Sequence, residues 1–185
     1  MPDAAEIREI VSRIVDGLMP DDAASPISAP GENPVIAIGA DHGGYPLKER
    51  LGFRLKEAGY QVIDCGTGST DSVDYPDFAH EVARKVADGE ATYGLVVDGA
   101  GIGSAMTANK VPGVRAALCY DLSSARNSRE HNHANVLTLG AGLIGDGLAW
   151  QITQEWLGTP WGPGRHAARI EKMMEIEQRY LRDEK

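Results

Sequence analysis

Cysteine is almost missing from this sequence. Of 185 residues only Cys65 and Cys119 carry a thiol. Their spacing fits neither a metal knuckle nor a disulfide framework, which points to a reducing compartment. Each falls at the end of an expected strand, a packing position. Long apolar runs are missing too. None approaches the roughly 20 residues of a membrane span, so no membrane partner is expected. The first residues, Met-Pro-Asp-Ala-Ala-Glu, lack the basic and apolar regions of a secretory signal, and a cytoplasmic location is expected. Positive charge is scarce: 18 Lys and Arg stand against 27 Asp and Glu, for a net charge of −9. Residues 1–34 hold seven acids against only Arg8 and Arg13. Without a basic face the chain is not built for nucleic acid. No internal repeat is visible.

What is present is a globular chain, 42% hydrophobic, long enough for one well-cored domain and an appendage. Residues 1–18 read as an amphipathic helix. Ile7, Ile10, Val11, Ile14, Val15 and Leu18 recur at helical spacing and form one apolar stripe. Residues 19–34 carry four prolines among small and polar residues, the composition of a linker. The main domain spans 35–185. Strands are expected at 35–39, 60–64, 93–97, 114–119 and 135–139. Helices are expected at 45–58, from Tyr75-Pro76 to about 88, at 102–109, up to Glu130 behind an Asp121 cap, at 143–156 and at 165–181. Five alternations of strand and helix imply a three-layer α/β/α sandwich around a five-stranded parallel, Rossmann-like sheet with right-handed crossovers.

The stretch from Leu95 to Lys110 carries the strongest chemical signal. An apolar strand breaks into a turn with Gly99, Gly101 and Gly103, and a helix comes after it. Such a turn aims backbone N–H groups at one point that favours an anion. Asp98 stands at the strand's end, where open parallel sheets keep their chemistry. Three further segments are expected to share that crevice: Asp41 and His42, the run Glu130-His131-Asn132-His133, and Arg165, His166 and Arg169. Arg165 and Arg169 are four apart on one helix face, a spacing that suits a phosphate clamp. His80, within a helix, reads as a surface residue. A dinucleotide site is disfavoured, because the glycines read G-x-G-x-G after the third strand rather than G-x-G-x-x-G after the first.

Six motifs occur in order: Gly-Ala-Asp-His-Gly-Gly ending at Gly44, Val-Ile-Asp-Cys-Gly ending at Gly66, Asp-Tyr-Pro ending at Pro76, Gly-x-Gly-Ile-Gly ending at Gly103 with Ala-Asn-Lys ending at Lys110, Arg-Glu-His-Asn ending at Asn132, and Gly-Arg-His ending at His166 with Arg169. Together they resemble the ribose-5-phosphate isomerase B and galactose-6-phosphate isomerase family over about residues 35–180. The resemblance implies an aldose–ketose isomerase of a phosphorylated sugar, working through an enediolate without metal or organic cofactor. It also implies a homodimer, or a dimer of dimers, with active sites at the interface. Carried over by position, Asp41 would hold sugar hydroxyls and assist ring opening, beside His42 and Tyr75. Gly99, Gly101, Ile102 and Gly103 would cradle the enediolate, with Asn109 steadying the loop. His131 would open the ring as acid and base, and Asn132 would contact substrate. Arg165, His166 and Arg169 would hold the phosphate. Ribose 5-phosphate and ribulose 5-phosphate are the first substrate reading. Another four- to six-carbon sugar phosphate, or a non-catalytic sugar-phosphate-binding protein, is the alternative.

Four departures from the family pattern bear on chemistry. The usual proton-abstracting cysteine is Asp98, and the alternative glutamate is Ser104. A usual hydroxyl residue is Ala100, and a usual phosphate-binding arginine is Gly142. Asp98 is therefore expected to replace cysteine as the base. The amino-terminal helix lies outside the family pattern. It resembles encapsulation peptides that tether enzymes inside bacterial microcompartments, which would make a shell protein a partner through residues 1–18.

Overall fold

Short apolar runs alternate with amphipathic stretches along the sequence, and the backbone keeps to that alternation. The computed structural model describes residues 34–162 and 164–181. The expected amino-terminal helix and most of the linker lie outside these residues. The elements are β1 (Val35–Ala40), α1 (Tyr45–Glu57), β2 (Gln61–Asp64), α2 (Tyr75–Ala87), β3 (Tyr93–Asp98), α3 (Ile102–Ala108), β4 (Ala116–Leu118), α4 (Leu122–Glu130), β5 (Val136–Gly140), α5 (Asp146–Gly158) and α6 (Arg165–Leu181). Two elements start more than one residue later than the sequence expectation, for local reasons. Val114 and Arg115 stay outside β4 because the Asn135 side chain takes the Arg115 N–H at 2.7 Å. Leu143 and Ile144 stay outside α5 because both N–H groups turn back to Gly140 O.

The five strands are parallel in the order β2-β1-β3-β5-β4. Period-two alternation divides their side chains between two faces. Ile36, Ile38, Leu95, Val97, Leu137 and Leu139 pack under α1, α4 and α5 through Leu47, Leu51, Leu55, Ala125, Ile152 and Trp156. Ala37, Val96 and Val136 pack under α2 and α3 through Ala79, Val82, Ala83 and Ala108. β3 is buried at all six positions, as a central parallel strand must be. No helix among the described residues is long and apolar enough to cross a membrane.

Strand direction sets the functional geography. β1 and β3 lie side by side, and Ala40 pairs with Val97, so Asp41 and Asp98 leave the same edge together. The chain runs from β1 outward to β2 on one side, and β3 begins the other side, so this is a topological switch point. Every crossover helix runs back against the strands. The carboxyl end of α4, with His131 and Asn132, therefore lies at the opposite edge, just before β5. Six residues of strand at about 3.3 Å each put about 20 Å between the two edges.

The far edge is built on a buried arginine. Arg129, 4% exposed, donates to Ala134 O at 2.6 Å and to the Tyr93 hydroxyl at 2.8 Å. Its guanidinium lies 4.6 Å from the Tyr93 ring and 4.9 Å from the Trp156 ring. This locks the last turn of α4 and the residues after it. His133 takes a left-handed φ of 48° and sets its ring 4.2 Å from Trp161. Burial, with Arg115 and Arg129 nearby, pushes the His133 imidazole down to about 4.

A lowered imidazole pKa favours the neutral ring in the fold. Below pH about 6.5 the unfolded chain takes up a proton that the folded chain refuses, so stability falls with pH until about 4. The His133→Asn variant keeps a residue tolerant of positive φ and removes that titration. Its unfolding midpoint should fall less between pH 6.5 and 4, the wild type losing about 1–3 kcal/mol more over that window. Thermal melts across the range check this, and parallel curves for the two proteins would contradict it.

Candidate active site

The glycine loop is wound around the Asp98 carboxylate. Asp98 Oδ1 accepts from Ala100 N at 2.7 Å and from Gly101 N. Oδ2 accepts from Ser104 N at 3.1 Å and from the Ser104 hydroxyl. Asp98 is 5% exposed. A carboxylate has about four lone-pair positions, and four donors fill them here. Loop carbonyls are held from outside: the Tyr120 hydroxyl donates to Ala100 O at 2.7 Å, and the Thr138 hydroxyl donates to Gly101 O at 2.9 Å. Gly101 has φ 77°, which a side chain would strain, and a Cβ there would run into Leu118 and Leu139. The N–H groups of Gly99, Ile102 and Gly103 find no acceptor among the described residues. They are the donors left over for an anion in the crevice.

This geometry corrects the role expected for Asp98. A base must hold a lone pair towards the carbon that loses its proton. Asp98 holds all of its own towards the loop. It is the anion around which the loop closes, a structural anchor in place of the cysteine base.

Asp41, His42 and Tyr75 border the same edge. Asp41 Oδ1 accepts from Gly44 N at 2.8 Å. His42 is exposed, with Nδ1 3.2 Å from Val73 O. The Tyr75 ring lies against Gly103, where an added Cβ would meet it at 2.5 Å. Asn109 is elsewhere: its side-chain amide donates to Ala105 O and Ala116 O at 2.9 Å and accepts from Ala116 N at 2.8 Å. It ties the exit of α3 to the entry of β4 and makes no hydrogen bond to the glycine loop among the described residues.

The second group gathers at the opposite edge. His131 and His166 stack with ring centroids 4.2 Å apart and planes 5° apart. Asn127 Nδ2 lies 2.8 Å from His131 Nδ1, and Asn132 Nδ2 lies 3.3 Å from Asn127 Oδ1. Desolvation lowers the His166 pKa, with His131, Arg165 and Arg169 adding to it. Arg165 and Arg169 open α6 beside this pair. The expectation that all four segments share one crevice within a single chain is thus corrected. Parallel strands with returning helices place Asp41, His42, Tyr75 and the glycine loop at one edge, and His131, Asn132, Arg165, His166 and Arg169 at the other.

Neither cysteine is poised to react. Burial, with Glu81 next, pushes the Cys65 thiol up to about 11, and burial raises Cys119 as well. The Ribose/Galactose Isomerase family matches residues 36–173. The chain belongs to that family. It is 44% identical over 144 residues to ribose-5-phosphate isomerase B of Escherichia coli, covering 78% of this chain and 97% of that one. It superimposes on Clostridium thermocellum ribose-5-phosphate isomerase B with a TM-score of 0.78 at 51% identity, over 79% and 99% of the two chains. A Mycoplasma genitalium ribose-5-phosphate isomerase B with bound ribulose-5-phosphate gives 0.75 at 38% identity, over 78% and 96%. By family the chain is an aldose–ketose isomerase of sugar phosphates.

Sequence reasoning missed the loop's outer supports, Tyr120 and Thr138. Their signal was available: Thr138 lies on β5, beside the strand that carries Asp98, and Tyr120 comes just after β4, one strand further out at the same edge. The anchoring role is measurable. Asp98→Asn turns one acceptor oxygen into a donor facing donors, and stability should drop by ~2–3 kcal/mol in urea unfolding. A loss below about 0.5 kcal/mol, ordinary for a surface change, would mean that the carboxylate is not held by the loop.

Proposed function

We propose that this isomerase interconverts ribose 5-phosphate and ribulose 5-phosphate through an enediolate, in a site assembled from two copies of the chain. The observation that carries the reading is the division of the site residues between opposite edges of one sheet. An edge of one copy set against the far edge of another joins the two groups. Symmetric pairing then makes two equivalent sites.

The surfaces favour this pairing. On α6, Arg165, Arg169, Met173, Ile176 and Tyr180 recur at helical spacing and lie on one face, with Met173, Ile176 and Tyr180 exposed. On α3, Ile102 and Met106 are four apart and exposed, directly beside the glycine loop. An apolar stripe that continues a cationic clamp, meeting an apolar patch that continues a donor-lined loop, would bury both and bring clamp to loop.

In the joined site Arg165 and Arg169 take the phosphate, and His166 lies beside it with its ring held towards the neutral form. His131 passes a proton to and from the ring oxygen as the furanose opens. The N–H groups of Gly99, Ile102 and Gly103 stabilise the enediolate oxygen. Gly142 leaves the phosphate to the α6 cations. The reading is tested in deuterated water. Wild type should isomerise ribose 5-phosphate with deuterium entering the carbon skeleton. Asp41→Ala and His131→Ala should each be inactive, and their mixture should regain about a quarter of the activity, since half the sites in each mixed pair carry both substitutions and half carry neither. A mixture that stays inactive would refute the shared site. Faster turnover of a four- or six-carbon sugar phosphate would move the substrate.

Residues 1–18 supply an address rather than chemistry in this reading. Their apolar stripe docks on a microcompartment shell protein, and residues 19–34 are the tether. Deleting residues 1–33 should leave isomerase activity intact and abolish co-purification with shell proteins. Persistent co-purification would refute the tether.

A further inference from the structure

We infer that Asp41 is the base that moves the carbon-bound proton, an inference that rests on the isomerase reading above. The reaction needs a base, and the two family positions for one are spent. Asp98 is saturated by four donors, and the Ser104 hydroxyl is one of those donors. Cys65 is half-buried and Cys119 buried, and burial raises the pKa of both thiols, which keeps them protonated. His42 is exposed and tied to Val73 through Nδ1.

Asp41 stands in the right place with the right group. It comes directly after β1 at the switch point, beside Asp98 across the β1–β3 pair. Its N–H donates to Val97 O at 3.3 Å, which fixes it against β3. Gly44, the next turn, packs so closely on Val97 and Asp98 N that no Cβ fits between them. Only one of the two carboxylate oxygens is committed: Oδ1 accepts from Gly44 N, while Oδ2 has no partner among the described residues. The carboxylate faces the loop. A Cβ placed on Gly43 would lie 3.4 Å from Asp41 Oδ1, 3.9 Å from Oδ2 and 3.9 Å from Gly99 N. An available carboxylate oxygen and an available N–H donor thus flank one spot.

The step balances on this one group. The Asp41 carboxylate takes the proton from C2 of the open-chain aldose. The C–H electron pair becomes the C1–C2 double bond, and the carbonyl oxygen becomes the enediolate oxygen beside Gly99 N. The O2 proton passes to O1 while the Asp41 carboxylic acid returns its proton to C1, which yields the ketose and the starting carboxylate. Removal and return from one face suit a single carboxylate.

A ring-opening role for Asp41 is separable from proton transfer. Ribulose 5-phosphate carries its phosphate on the oxygen that would close a five-membered ring on C2, so it is already open. With the full chain in deuterated water, deuterium entering C1 of ribulose 5-phosphate reports proton transfer alone. Asp41→Asn should lower that exchange by about 10²–10⁴-fold with little change in affinity for ribulose 5-phosphate. Asp41→Ala should regain part of it on addition of formate, a carboxylate small enough to enter the gap. Exchange within tenfold of wild type in Asp41→Asn would overturn the inference, whether or not ribose 5-phosphate turnover is lost. So would lost exchange with lost affinity and no formate rescue, which would make Asp41 a holding residue. Wild type that exchanges no sugar phosphate would bring down the isomerase reading itself, a result distinct from the others.

Discussion

The Asp98 carboxylate and the loop wrapped around it decide what the rest of the active edge can be. A buried anion is costly unless donors surround it, and here three backbone N–H groups and one hydroxyl do. The loop's path is a consequence of that demand. Ala100, Gly101 and Ser104 turn their N–H groups inward to Asp98, so those of Gly99, Ile102 and Gly103 are the ones left for substrate. An anchor of this kind gives a rigid cradle, which is the requirement for stabilising an oxyanion without reorganisation. It also removes Asp98 from proton transfer, since the same lone pairs cannot do both.

The second constraint is strand direction. A parallel sheet with returning helices keeps the loops at the strands' carboxyl ends apart from those at their amino ends, and no side chain bridges about 20 Å. His131 cannot meet the glycine loop of its own chain. The far edge is nonetheless finished with care: Arg129 is fixed between Tyr93 and Trp156, and His131 is stacked on His166. Ordering of that kind at an edge remote from the loop is what a site shared between copies calls for. In the proposed pairing, the exposed stripe on α6 and the exposed pair on α3 would supply the apolar area between the copies.

The fold was legible because its signals are local. Apolar runs of four to six residues, Pro76 near a helix start, Asp121 as a cap with its reciprocal Ser124 bonds, and Gly59 with φ 90° each mark an element boundary within a residue or two. The site was legible as residue types and not as geometry. Sequence could place Asp98 at a strand end. It could not show which way the carboxylate turns, because that depends on whether Ala100, Gly101 and Ser104 curl back towards it. Nor does helix periodicity state at which edge a helix ends. Strand direction decides the edge, and applying that rule to α4 would have separated His131 from Asp98 on sequence grounds alone. Asn109 was misjudged for the same reason: it ends α3, so its hydrogen bonds go to α3 and β4 and not to the loop.

The departures from the family pattern read as one linked change. Gly142 N donates to Gly99 O at 2.9 Å, and a Cβ at 142 would sit 2.9 Å from that same oxygen. An arginine there would push on the loop where the loop leans on the exit of β5. Asp98 draws the other end of the loop inward through Gly101 and Ser104. A glutamate in place of Ser104 would set a second carboxylate against the first and remove a donor. Ala100 keeps that turn free of a hydroxyl that could compete for the same carboxylate. A cysteine at 98 could not hold this arrangement, since a thiol is a weak acceptor for four donors. The loop thus exchanges a reactive group and an arginine for an anchored anion, and proton transfer must fall to a neighbour. Asp41, next to Asp98 across the β1–β3 pair and with one oxygen uncommitted, is the residue the sheet puts there.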